Sequence, residues 1–182
     1  GWDPGEIVVV EPDPTEVGRG RARRGFPAVQ AGGQALPIAS GSAAVVCALD
    51  VLEHMEDPSR AVAEAARVLA PGGRLIATVP AYQRLWSEHD VALHHFRRYT
   101  QAELETLVRQ GGFEVELLSY VFSWLLPPML LARRLLGRSD LGASWTIVDR
   151  AVLVPASIER TILRRSRLPF GTTVLCVGRR TS

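Results

Sequence analysis

The sequence has few cysteines and lacks any apolar run long enough to cross a membrane. Its longest apolar stretch, Val121 to Ala132, is interrupted by two prolines and closed by arginines, whereas a membrane-spanning helix needs about 20 apolar residues. The first residues have neither the basic segment nor the apolar region of a secretory signal. Cys47 and Cys176 lie in strand-like runs and are predicted to be small, buried side chains. These absences favour a cytoplasmic protein.

Two motifs of nucleotide-dependent oxidoreductases are also absent. The chain has no Gly-x-Gly-x-x-Gly, and no Tyr-x-x-x-Lys follows any of its three tyrosines. A net charge of +2 comes largely from arginine clusters near positions 21–24 and 164–167, without the interleaved aromatic residues typical of nucleic-acid binding. We therefore predict no nucleic-acid partner, and an oxidoreductase is only a distant alternative.

The 182 residues, 47% of them hydrophobic, fit one globular domain in which strand and helix patterns alternate. Strands are predicted at Ile7 to Val10, Ala28 to Ala31, Ala44 to Leu49, Leu75 to Val79, Phe113 to Tyr120 and Thr172 to Val177. Helices are predicted after Asp13, from Asp57 to Leu69, from Thr100 to Gly111, at Met129 to Leu136 and at Ile147 to Leu163. This alternation predicts an α/β fold with a mostly parallel sheet flanked by helices.

In an open α/β sheet, ligands bind beyond the carboxyl ends of the strands. The residues that follow the strands are Glu11, Gly32 with Gly33, Asp50 with Glu53 and His54, and Pro80 with Tyr82. A carboxylate such as Glu11 can accept hydrogen bonds from the two hydroxyls of a ribose. It can equally be an acid that stabilises the start of the following helix, and position alone does not separate these alternatives.

One long segment carries a specific resemblance. Leu52-Glu53-His54, Asp57-Pro58, Arg67-Val68-Leu69 and Pro71-Gly72-Gly73 follow the strand at Ala44 to Leu49 with a characteristic spacing. The segment resembles the class I S-adenosylmethionine-dependent methyltransferases, within the type 11 group that includes the ubiquinone and menaquinone biosynthesis enzymes. The resemblance implies a Rossmann-like fold, S-adenosylmethionine as cofactor and a small-molecule acceptor.

The same resemblance implies a set of cofactor contacts. They are Glu11 with Pro12 at the ribose, Gly32 and Gly33 beside the adenine, and Leu49 and Asp50 at the next strand end. The family's first strand and glycine-rich loop would lie before Gly1, so we expect residues 1–182 to form a single methyltransferase domain that is incomplete at its N-terminus. Gly32 stands where the family often has an aspartate.

A narrower likeness, to a bacterial subgroup, covers Trp86-Ser87-Glu88-His89-Asp90, His94 to Thr100 and Leu168 to Gly171. It implies a lid over the acceptor. The predicted catalytic bases are His54, His89 and His95, and the predicted substrate contacts are Tyr82, Trp86, Asp90, Arg98 and Tyr99. Alternatively, the histidines are only hydrogen-bonded within loops. Arg97 and Arg98 would then be an exposed pair beside a packed Tyr99. The histidine and aspartate spacing matches no standard metal site, so no metal is predicted.

The segment at about 121–167, before the last strand, is predicted to be a helical insertion. It is rich in apolar residues, tryptophan and arginine. We interpret it as a cover over a lipophilic acceptor or a peripheral membrane contact, with a helical layer packed against the sheet as the alternative. The predicted function is methyl transfer to a small acceptor, a lipophilic one being an option. A non-catalytic binding module with a methyltransferase fold is the alternative function.

Overall fold

The computed structural model describes residues 6–15, 17–18, 26–136 and 157–181. Its strands are β1 (Val9–Glu11), β2 (Ala28–Gln30), β3 (Ala43–Leu49), β4 (Leu69–Pro80), β5 (Phe113–Val121) and β6 (Thr173–Arg180). It also contains helices α1 (Pro58–Val68), α2 (Glu88–Ala92), α3 (Gln101–Gln110) and α4 (Leu126–Leu136). Short 3₁₀ helices lie at Leu52–His54, Gln83–Leu85 and Ser123–Leu125.

The strands form two sheets, and all but one of the strands in the larger sheet are parallel. Strands β1 and β2 pair in parallel, and β3, β4, β6 and β5 follow one another in that order in the second sheet. Strand β6 is antiparallel to both of its neighbours, β4 and β5, so these two run in the same direction. The predicted α/β fold with a mostly parallel sheet is therefore confirmed.

Strands β1 and β3 are more exposed than their sequences suggest. Val8 is 44% and Leu49 is 55% exposed, and Cys47 on β3 is exposed whereas Cys176 on β6 is buried. The predictions that the Ile7 to Val10 run is buried on both faces and that Cys47 is buried are wrong. The reason is positional, because among the described residues β1 and β3 each pair on one side only.

The transition from α1 to β4 is tighter than predicted. Asp57 caps the helix by accepting a hydrogen bond from the Ser59 backbone N–H, and Pro58 is the first helical residue, as expected. The helix ends at Val68, but Pro71, Gly72 and Gly73 lie inside the span of β4 instead of in a separate turn. The register with β3 shifts across them, so the three residues form an irregularity in the strand.

The core lies between the larger sheet and helices α1 and α3. Val62 of α1, Leu104 of α3 and Ala77 of β4 are 1%, 0% and 0% exposed. Thr100 and Glu103 form the predicted capping box at the start of α3. At its end, a Cβ on Gly111 would lie 2.3 Å from Cγ1 of Val62, so glycine allows the two helices to approach closely.

Two segments of the region after β5 are helical in the part that the structure describes. Helix α4 covers the predicted Met129 to Leu136 helix, and residues 157–163 are also helical. The remainder of the predicted Ile147 to Leu163 helix, up to residue 156, lies outside the described residues. Over the part of the chain that the structure describes, no helix combines the length and apolarity needed to cross a membrane.

Candidate functional site

The carboxyl ends of β1, β2 and β3 lie at one edge of the molecule. The backbone N–H of Ala31 donates to the carbonyl of Glu11, which aligns the ends of β1 and β2. The position of a Cβ on Gly33 lies 2.7 Å from the terminal methyl group of Met55, directly after the 3₁₀ helix that follows β3. Residues predicted to bind the cofactor from separate strands are thus brought to the same edge.

The loop after β2 is fixed to helix α1 by a charged pair. Glu64 accepts hydrogen bonds from the Leu36 backbone N–H and from the Arg67 guanidinium, at 2.9 Å each. Arg67 also donates to the carbonyls of Leu36 and Ile38. These contacts hold the small sheet against α1, which positions Gly32 and Gly33 relative to the end of β3.

Left-handed backbone occurs just beyond three strands of the larger sheet, β3, β4 and β5. Asp50, Tyr82 and Phe122 have φ angles of 52°, 59° and 56°, a conformation that side chains other than glycine rarely adopt. The Asp50 backbone N–H donates to the carbonyl and hydroxyl oxygens of Thr78, and its carboxylate accepts from that hydroxyl. Such strain persists where the surrounding structure over-determines it and clusters at functional sites.

The surroundings of the other predicted cofactor residues are open. Among the described residues, apart from its two chain neighbours, no heavy atom lies within 4 Å of a Cβ position on Gly32. Glu11 is partly buried and accepts from the Asp13 backbone N–H at 3.4 Å, while Pro12 is exposed. Together, Glu11, Gly32, Gly33 and the exposed Leu49 present a carboxylate, two glycines and an apolar side chain at the same edge. This combination of groups is compatible with a nucleoside.

Asp90 is the centre of a buried polar cluster. Its carboxylate is 0% exposed and accepts two hydrogen bonds from Arg98, at 2.7 and 2.9 Å, and one from the Ser87 backbone N–H. Nδ1 of His95 lies 2.9 Å from Oδ1 of Asp90. Burial would raise the pKa of Asp90, but the hydrogen bonds from Arg98 and His95 outweigh it and lower this pKa to about 2.

Glu53, His54 and His95 form a second cluster beside the first. The Glu53 carboxylate is 1% exposed, and burial raises its pKa to about 7. The rings of His54 and His95 meet edge to face, with centroids 4.5 Å apart. Burial and the neighbouring His95 lower the pKa of His54, which favours the neutral imidazole. The backbone N–H of Phe96 donates to the Glu53 carbonyl at 2.7 Å and connects the two segments.

Tyr82 and Tyr99 form a wall beyond the end of β4. The Tyr82 N–H donates to the Tyr99 carbonyl, and the Tyr99 hydroxyl donates to the Leu52 carbonyl at 3.2 Å. Tyr82 stacks on Tyr120 at 4.9 Å, and burial together with this neighbour raises its pKa to about 12. An open groove of about 540 Å³ passes Arg97, Arg98 and Tyr99 on the outer side of this wall.

The structure brings together only some of the predicted catalytic bases and substrate-binding residues. His54, His95, Asp90 and Arg98 lie in the two adjoining clusters, and Trp86 is half-buried near the start of α2. His89 is exposed on α2. Because Arg98 is held by Asp90 and Tyr99 by Leu52, their polar groups are already paired within the protein. Their roles toward an acceptor remain predictions.

Two buried acids are not among the predicted catalytic, cofactor-binding or substrate-binding residues. Glu53 lies within the Leu-Glu-His motif, next to the histidine that was singled out, so its position was available in the sequence. Glu159, on the helical segment 157–163, accepts hydrogen bonds from the backbone N–H groups of Phe122 and Ser123. No local pattern signals that contact, because it joins positions 36 and 37 residues apart.

Comparison with known proteins finds methyltransferases similar to part of the chain. Residues 2–77 match the methyltransferase domain family model. An uncharacterized methyltransferase of Mycobacterium sp. (strain JLS) is 38% identical over 92 residues, which cover 50% of this chain and 36% of the relative. A protein of Mycolicibacterium smegmatis named "Probable S-adenosylmethionine-dependent methyltransferase/" is 34% identical over 113 residues, or 60% of this chain and 44% of that protein.

The fold has solved counterparts. The structure of geranyl diphosphate methyltransferase in complex with S-adenosylmethionine aligns over 97% of this chain and 69% of its own length, with a TM-score of 0.63 and 15% identity. The curated relatives just described are matched over less than half of their length. The family match over residues 2–77, these relatives and the shared Rossmann-like fold support a class I S-adenosylmethionine-dependent methyltransferase.

Proposed function

We propose that the chain supplies the adenosine side and the acceptor wall of an enzyme that transfers a methyl group from S-adenosylmethionine to a small, lipophilic acceptor. The observation that carries the proposal is the meeting of the β1, β2 and β3 carboxyl ends at the edge that also holds His54 and His95. Ligands of open α/β sheets bind at this kind of edge.

Glu11, Gly32, Gly33, Leu49 and Asp50 are the residues proposed to hold the cofactor. The Glu11 carboxylate would accept hydrogen bonds from the ribose, and the space above Gly32 would admit the flat adenine ring without a clash. When bound, S-adenosylmethionine supplies an activated methyl group, so the protein's own part is to orient and desolvate the acceptor.

The exposed sides of β1 and β3 support a further strand between them. Each strand lacks a partner on one side among the described residues, and Leu49 and Cys47 of β3 are exposed. A strand placed there would pair with the free backbone groups of both edges. The family's glycine-rich loop would follow such a strand and approach the methionine end of the cofactor.

His54 is the preferred base if the acceptor loses a proton. The lowered pKa favours its neutral imidazole, the form that a proton acceptor needs. His95 is held by Asp90 through Nδ1, so it supports His54 in a fixed orientation. The exposed apolar side chains of Leu93 and Phe96, 43% and 53% exposed, adjoin this histidine segment and support a lipophilic acceptor.

Calorimetric titration with S-adenosylhomocysteine tests the proposal, using the native polypeptide that contains residues 1–182. Glu11→Gln should weaken binding about tenfold to a hundredfold, since hydrogen bonds to a charged group contribute about 1.5–3 kcal/mol. Glu88→Gln, an exposed acid on α2, is the matched control and should bind like the wild type. Equal affinities for all three proteins would contradict the assigned role of Glu11, and the absence of binding in the wild type would favour a non-catalytic module.

A further inference from the structure

Three side chains with metal-binding groups lie together at the end of β3. Glu53, His54 and His95 each offer one ligand atom, and these atoms all lie within 4.8 Å of one another. They come from two separate segments, joined by the hydrogen bond from the Phe96 N–H to the Glu53 carbonyl. We infer that this cluster binds a divalent transition-metal ion, with Zn²⁺ as the best match.

The spacing is close to what one ion requires. Bonds from Zn²⁺ to imidazole nitrogen and carboxylate oxygen measure about 2.0–2.2 Å, so ligand atoms on a common ion lie roughly 3–4 Å apart. The observed limit of 4.8 Å exceeds this by less than about 2 Å. His54 is exposed, so bringing the three ligand atoms onto one ion would require only a small adjustment of its side chain against His95.

Glu53 provides the second, independent observation. Its side chain is 1% exposed, and within the described part of the chain Oε2 has no hydrogen-bond partner. A buried carboxylate oxygen without a partner is costly, and native proteins rarely leave one unsatisfied. A cation held between Glu53 and the two imidazoles would satisfy this oxygen.

His95 is oriented as metal-binding histidines usually are. Its Nδ1 lies 2.9 Å from the Asp90 carboxylate, which fixes the proton on that nitrogen and leaves Nε2 as the free ligand atom. Asp90 is held in turn by the two hydrogen bonds from Arg98. A carboxylate that accepts from the second nitrogen of a ligating histidine is the common outer partner of such sites.

The donor set selects the class of ion. Two imidazoles and one carboxylate suit Zn²⁺, Fe²⁺ or Mn²⁺, whereas Mg²⁺ prefers oxygen ligands and retains its waters. Three protein ligands also leave a coordination position open for water or an acceptor oxygen. The ion would occupy the lone pair that makes His54 a base, so it would replace that histidine as the group that activates an acceptor. This inference does not depend on S-adenosylmethionine binding.

Zn²⁺ titrated into the chelator-treated protein tests the site by calorimetry and elemental analysis. We expect one equivalent to bind, with Mg²⁺ unable to compete. His54→Ala should weaken binding at least about tenfold to a hundredfold, the range that loss of even an outer partner produces. His54 is exposed, so this variant should fold, and circular dichroism checks that it does. Glu53→Gln should weaken binding in the same direction.

His89→Ala is the matched control, because His89 is an exposed histidine outside the cluster. It should retain wild-type Zn²⁺ binding. A wild-type protein that binds no Zn²⁺, or a His54→Ala variant that binds it unchanged, would overturn the inference. Titration of S-adenosylhomocysteine into the metal-free protein measures cofactor binding separately. A failure to bind Zn²⁺ can therefore be distinguished from a failure to bind the cofactor.

Discussion

Asp90 and Arg98 form a two-point ion pair in which the carboxylate is completely buried. The Arg98 Nε and Nη2 atoms donate to the two carboxylate oxygens at 2.7 and 2.9 Å, and the arginine side chain is 11% exposed. The pair joins α2 to the segment that precedes α3. That segment lies along the end of β4, where Tyr99 N–H donates to the Pro80 carbonyl.

Replacing Asp90 with asparagine should destabilise the protein strongly. The substitution leaves the Arg98 guanidinium without its counter-charge in a nearly closed environment, and breaking one side of a buried pair costs about 3–5 kcal/mol. Urea denaturation measures the free energy of unfolding. Glu105→Gln, which breaks the exposed pair with Arg109 on α3, should change it by only about 0.5 kcal/mol. Similar losses in both variants would contradict the central role of Asp90.

The difference between the wild type and Asp90→Asn should depend on pH. The pKa of Asp90 is lowered from 3.8 to about 2 in the folded state, because the Arg98 and His95 hydrogen bonds outweigh the effect of burial. A lowered folded pKa gives stability that is complete above the unfolded pKa and is lost as the pH falls through the folded one. Urea denaturation with a chelator present measures the free energy of unfolding of both proteins. The difference between the wild type and Asp90→Asn should shrink as the pH falls from about 5 to about 2. A constant difference would mean that the carboxyl keeps its ordinary pKa.

Local signals were sufficient for most of the fold. Asp57 with Pro58 marks the start of α1, and Thr100 with Glu103 marks the start of α3, since capping depends on residues within one turn. The exposure of Val8 and Cys47 could not be predicted in the same way. A β-branched run has the same sequence in a central strand and at an edge, and only the number of partner strands decides its burial.

The site was predicted less completely than the fold. The order of strands and loops placed Glu11, Gly33, Asp50 and His54 at strand ends, and strand ends share one edge. The partners of Asp90 and the unpaired oxygen of Glu53 depend on contacts between segments far apart in sequence. No periodicity encodes such contacts, so the sequence does not predict that the oxygens of Asp90 are held by Arg98, His95 and Ser87. The contact of Asp90 with a substrate stays a prediction.

Cys47 and Cys176 should differ in reactivity, which tests the open edge of β3. Cys47 is exposed, whereas Cys176 is 1% exposed and burial raises its pKa to about 12. Maleimide labelling of the 182-residue chain at pH 8.5, followed by mass spectrometry, should modify one thiol rapidly, and Cys47→Ser should abolish that reaction. If neither thiol reacts, a strand or a partner covers the β3 edge. Equal rates for both thiols would contradict the burial of β6.

Gly32→Ala should separate cofactor binding from stability. The added Cβ would meet no protein atom within 4 Å, and Gly32 is not among the residues with positive φ, so the free energy of unfolding should change by less than about 0.5 kcal/mol. If adenine lies over this position, the methyl group would intrude on the ring and weaken S-adenosylhomocysteine binding. Calorimetry and urea denaturation measure the two effects.

Gly18→Ala is the matched control, since a Cβ there also meets nothing within 4 Å and Gly18 lies on the helix after β1, away from the strand ends. It should bind like the wild type. A Gly32→Ala variant with unchanged affinity would place the adenine elsewhere, because a flat ring in contact with the glycine backbone leaves no room for a side-chain carbon. In that case the open surface at Gly32 would not be part of the cofactor site.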